Sequence, residues 1–120
     1  MPSVLPSVFA QLRTVLAKHA GALTVKTDTA SCYCLEGGLH PKHQTPMPIA
    51  WVQLGKAYVS YHLMPIYGCP ELLDRFSPDL RAHMQGKSCF NFRSVDPALF
   101  AELDQLTAQG LKVFKKAGYL

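Results

Sequence analysis

The segment "SCYCLEGGLHPKHQT", residues 31–45, places Cys32, Cys34, His40 and His43 within twelve residues. Thiolate sulfur and imidazole nitrogen are the usual ligands of zinc, so these four are a candidate metal site. The spacing argues against a tight chelate. A zinc knuckle puts two residues between its cysteines and folds them into a turn. Cys32 and Cys34 instead alternate onto one face of an extended strand, with Cα atoms about 6.6 Å apart. His40 and His43 flank Pro41 in a loop, and reach back only if Gly37 and Gly38 fold it over. At this length a domain needs no metal or disulfide to be stable. The expectation is two packed strand thiols followed by a partly basic loop, with no cofactor; iron or zinc is the alternative.

Other residues also invite chemistry. Cys89 and His62 would form a thiol–imidazole pair if their strands are neighbours, the minimum for covalent catalysis. No orienting acid or oxyanion hole is identifiable beside them, so a cysteine-dependent enzyme is an alternative and not the main reading. "QGKS", residues 85–88, resembles the end of a P-loop, but the pattern needs glycine at the position of Arg81. Gly86 and Lys87 are better read as the end of a short helix. Tyr58, Tyr61, Met64 and Tyr67 outline an apolar pocket, core or subunit interface.

These side chains must be positioned by elements that the pattern predicts. Residues 4–19 read as a helix with Ser3 or Ser7 as cap, Pro6 in the first turn and Gly21 as stop. Residues 23–28 and 31–36 read as strands, and 37–48 as a loop. "IAWVQLGKAYVSYHLM" reads as a hairpin around Gly55-Lys56. "PELLDRF" and "PDLRAHM" are short helical pieces, the second capped by Ser77. Residues 88–93 make a fifth strand. Asp96 caps a long helix from Pro97 that Gly118 can end. Gly110 inside that helix costs about 1 kcal/mol relative to Ala and marks close packing, expected against the sheet.

This order predicts one α+β domain over 1–120. It is a two-layer sandwich, with the N- and C-terminal helices on one face of a mainly antiparallel five-stranded sheet. Strand alternation puts Val52, Leu54, Val59, Tyr61, Leu63, Phe90 and Phe92 under the helices. It leaves Trp51, Gln53, Tyr58, Ser60, His62, Cys89, Asn91 and Arg93 on the open face, as the candidate ligand- or partner-binding set.

The net charge is +4 and the pI about 9.0, but the bases are scattered, so nucleic acid is not an expected partner. No apolar run approaches the roughly 18–20 residues that span a bilayer. "MPSVLPSVFAQLR" lacks the basic start and uninterrupted apolar run of a signal peptide. A cytoplasmic location is expected, with thiols kept reduced.

The runs "AYVSYHLMPIYGCPELL" and "SPDLRAHMQGKSCFNF", with the closing helix through "KKAGYL", resemble the YdhG-like family of small bacterial proteins, over about residues 48–120. The resemblance implies a fold related to frataxin. One branch of the family is described as an intracellular iron chaperone. Frataxins hold iron on an acidic ridge of the first helix and neighbouring strand. They contact the iron–sulfur assembly machinery through an open sheet face bearing a Trp, a part Trp51 would take here. The ridge does not carry over: residues 1–27 contain no Asp or Glu, and hard iron wants carboxylate oxygen. The main expectation is therefore a binding module for a protein partner or small ligand, with iron handling as an alternative. Homodimerisation through exposed aromatics is compatible with both of these and with the cysteine-dependent enzyme.

Overall fold

The computed structural model describes residues 4–39, 46–86 and 88–117. The chain opens with α1 (Leu5–Ala17), whose Val8, Phe9, Leu12, Val15 and Leu16 form one buried stripe. Pro6 sits in the first turn, where its missing N–H costs nothing. Val4 is the N-cap and makes no side-chain cap bond; Ser7 lies inside the helix and Ser3 outside the described residues. Gly21 is not the stop: Lys18 ends the helix, and Gly21 falls in a separate 3-10 turn, Ala20–Ala22.

Five strands follow as β1 (Thr24–Asp28), β2 (Cys32–Leu39), β3 (Pro46–Leu54), β4 (Val59–Leu63) and β5 (Cys89–Phe92). Their order across the sheet is their order in the chain, and every neighbouring pair is antiparallel. Between β4 and β5 lie α2 (Met64–Gly68), a 3-10 turn (Pro70–Arg75) and α3 (Pro78–Ala82), capped by Ser77. α4 (Pro97–Ala117) closes the chain, its first turn capped by Asp96, whose carboxylate accepts from the Leu99 N–H at 3.1 Å. The architecture is the expected α+β one: a five-stranded antiparallel sheet with N- and C-terminal helices.

The core lies between sheet and helices. Val52, Val59, Tyr61, Leu63, Phe90 and Phe92 pack with Leu12 and Leu16 of α1 and with Leu103 and Leu106 of α4. Each such side chain contributes about 1.5–3 kcal/mol by leaving water. One polar chain crosses this layer. The Tyr61 hydroxyl meets Thr107 Oγ1 at 2.6 Å, and Thr107 donates to the Leu103 carbonyl at 2.7 Å. Burial pushes the Tyr61 hydroxyl up, so it stays a neutral donor.

Several expectations are corrected. The loop at 37–48 is shorter, because β2 runs on to Leu39 and β3 starts at Pro46, paired with each other. The β3–β4 connection is four residues, 55–58, and not the pair Gly55-Lys56. Gly55 is needed there because its N–H bonds the Tyr58 carbonyl at 3.0 Å, and a Cβ would lie 2.8 Å from that oxygen. A bulge in β3 leaves Ile49 as an extra residue between Pro48 and Ala50, so Ile49 and Ala50 are both buried and alternation does not extend to Ile49. α2 was not expected; Met64 opens a helix instead of ending a strand. Gly86, at φ +82°, does not cap α3, whose C-cap is His83. It turns the chain back so that the Gln85 N–H bonds the Cys89 carbonyl at 3.0 Å. Gly110 packs on α2 as well as the sheet: a Cβ there would lie 2.9 Å from Pro65 Cβ and 4.0 Å from Leu63 Cδ2. Lys87 and Gly118 lie outside the described residues.

Candidate functional site

The register of the strands builds the open face. Cys34 pairs with Trp51, Trp51 with His62, and His62 with Cys89, forming one row across four strands. The next row on the same face is Cys32, Gln53, Ser60 and Asn91. Their alternation partners Tyr33, Val52, Tyr61 and Phe90 are buried below. The candidate binding residues of β3, β4 and β5 therefore come together. Two lie at the margin: Tyr58 precedes β4 in the 55–58 loop, and Arg93 follows β5, exposed. They meet at a depression of about 360 Å3, shared with His83, Gln85 and Asn91.

At the centre Trp51 and His62 stack, with centroids 4.5 Å apart and planes 15° from parallel. Cross-strand neighbours hold ring planes side by side in this way. Both side chains are half-buried. Asn91 organises the β5 side. Its Oδ1 accepts from Ser60 Oγ at 3.0 Å and from the Cys89 thiol at 3.3 Å, and its Nδ2 donates to Gln85 Oε1 at 2.6 Å. Its backbone is bracketed by His83, whose carbonyl accepts the Asn91 N–H at 2.9 Å and whose Nδ1 donates to the Asn91 carbonyl at 2.9 Å. The strip 83–85 thus covers the edge of β5.

Cys89 Sγ and His62 Nε2 are 3.6 Å apart, so the pair considered for catalysis does form. Its electrostatics oppose a thiolate. Burial pushes the Cys89 thiol up, and the Ser60 hydrogen bond only partly offsets this. Burial holds the His62 imidazole below its ordinary value. Both groups favour their neutral forms. With the thiol donating to Asn91 Oδ1, which can only accept, the bond between His62 and Cys89 runs from N–H to sulfur. That polarity is the reverse of base activation.

Cys32 and Cys34 share the open face with Trp51 and line a second depression, of about 260 Å3, with Lys26, Pro48 and Gln53. Burial pushes both thiols up, Cys34 being raised further by Cys32 beside it. His40 and His43 lie outside the described residues. Among the described residues no three His, Cys, Asp or Glu side chains form a group able to hold a metal. Nor do α1 and β1 fit iron. Their lone acid, Asp28, is held by Arg13 in a bidentate pair with both oxygens 2.9 Å from Nη2, and Arg13 also lies 4.6 Å over the Tyr33 ring.

The sequence reading missed two things here. It reads Cys32 and Cys34 as packed strand thiols and leaves them out of the expected open-face set, because the β2–β3 register that puts them beside Trp51 is not a local property. It also passed over His83 and Gln85, although Gly86 was the available signal: a glycine before a strand marks a turn as readily as a helix end. No family model matches the chain, and no curated protein or solved structure matches it.

Proposed function

We propose that this protein is a non-catalytic binding module that engages a protein partner through the open face of its sheet, with Trp51 as the central anchor. The observation that supports this best is the stacked Trp51–His62 plate, held on a rigid sheet and ringed by neutral hydrogen-bonding groups of Ser60, Cys89, Asn91 and Gln53. An aromatic anchor at the centre of a patch with polar surroundings is the usual anatomy of a binding hot spot. The face carries few charges to desolvate, which keeps the cost of covering it low. The four free thiols fit a reducing compartment, the cytoplasm. The YdhG-like resemblance and its frataxin-like use of a sheet-face Trp agree with this reading. The iron role has no such support, since Asp28 is already committed to Arg13.

The test is Trp51→Ala. The variant keeps its circular dichroism and loses the proteins that the tagged wild-type chain captures from lysate, a truncation cost of at least about 2 kcal/mol for an anchor. Val25→Ser, on the exposed edge strand β1, leaves capture unchanged. Equal capture by Trp51→Ala and wild type would show that the face is not the docking surface. A dimeric mass by light scattering that becomes monomeric in Trp51→Ala would identify the partner as a second copy.

A further inference from the structure

We propose that Cys32 and Cys34 form a two-thiolate site for copper(I) on the open face beside Trp51. Both cysteines lie on the same side of β2, one residue apart, and both line one depression with Lys26, Trp51 and Gln53. Their separation of about 6.6 Å at Cα lets χ1 rotations turn the two sulfurs toward a common point. A structural zinc ion needs four ligands, and the described residues bring no third metal-binding side chain to this place. A soft monovalent ion is different: thiolates select copper(I) over harder ions, and copper(I) is satisfied by two sulfurs in a line. The half-open depression provides an entry path, with Cys32 half-buried and Cys34 9% exposed.

The charge balance also suits this ion. Two thiols and one Cu+ give a bis-thiolate copper anion and two free protons, with no electron transferred. The product carries a single negative charge, and the Lys26 ammonium at the same depression faces it. Lys26 itself is only loosely held, 4.0 Å from Glu36. The site does not depend on partner binding, although a bound ion would sit against Trp51 and alter that face.

The experiment is an anaerobic titration of the reduced full chain with copper(I) against a competing chelator. Emission of Trp51, the chain's single tryptophan, and proton release are followed together. One copper per chain is expected, with Trp51 quenched and two protons released. Cys32→Ser and Cys34→Ser each weaken binding by more than the about 10–100-fold that loss of an outer partner costs. Cys69→Ser, Cys89→Ser and the double change His40→Ala/His43→Ala bind as wild type. Cys32→Ser changes a half-buried position, so its fold is preserved and its result is decisive. Undiminished binding in Cys32→Ser overturns the proposal. So does loss of binding in Cys89→Ser, or in the double histidine variant, which would make the site a four-ligand one.

Discussion

His62 is the residue whose surroundings say most. It stacks on Trp51, touches Cys89, and is held below its ordinary imidazole value by burial. A protonated imidazole accepts an electron from excited indole far better than a neutral one. Trp51 emission should therefore fall on acidification, with a midpoint below the ordinary value of about 6.5, and His62→Gln should remove that transition. The same shift affects stability. The unfolded chain takes up this proton at higher pH than the folded chain does, so stability is full above about 6.5 and declines as pH falls toward the lowered folded value. A midpoint at or above 6.5 would mean that His62 is more open to water than the structure shows. The cysteines make a second prediction. All four thiols are pushed up: Cys32, Cys34 and Cys89 first by burial, and Cys69 first by its bond to Glu71 at 3.0 Å. Alkylation near neutral pH should be slow at every site, and none should react faster than a free thiol of pKa about 8.5. A hyper-reactive Cys89 would restore the enzyme reading.

At the scale of elements, α4 shows how propensity and packing compete. Gly110 is buried in mid-helix, where Ala would gain about 1 kcal/mol from propensity alone. The Cβ that Ala adds would lie 2.9 and 3.2 Å from two carbons of the Pro65 ring, which cannot swing aside. Overpacking of this kind costs about 1–3 kcal/mol. Gly110→Ala should therefore lower the unfolding free energy by a net of about 0–2 kcal/mol, read as a lower denaturant midpoint. A rise in stability would show that α2 can shift away at little cost. α2 exists because Pro65 can enter a helix at its first positions but cannot stay in a central strand. That is why the run "SYHLMPIYG" leaves the sheet at Met64.

Across the whole molecule, the two helices are tied by ions as well as by the core. Asp104 of α4 accepts from His19 at 2.6 Å and lies 3.1 Å from Lys18, joining residues far apart in sequence. Burial works to raise the Asp104 carboxyl, but the His19 and Lys18 bonds outweigh it and hold it below the usual range. A carboxyl lowered by folding contributes stability that is present above its unfolded value, about 3.9, and is lost as pH falls through the folded one. Lys18 is well exposed, so screening keeps the contribution small. Asp104→Asn should cost about 0.5–1 kcal/mol near neutral pH, and the difference from wild type should shrink in acid. An equal cost at all pH values would mean that packing, and not charge, is what Asp104 supplies.

Local pattern was enough to determine the α+β class, the two terminal helices, the Asp96 and Ser77 caps, and which side chains of β3, β4 and β5 share a face. These depend on periodicity and on residues within one turn of each other. The bulge at Ile49, the close approach of α4 to Pro65, the turn at Gly86 and the union of Cys32 and Cys34 with Trp51 and His62 on one surface depend on cross-strand register and on contacts between distant segments. A strand's own residues specify which of them point the same way, but not which neighbours they will meet. The "SCYC" thiols were legible as a pair from the start. Only the pairing of β2 with β3 placed them beside the single tryptophan.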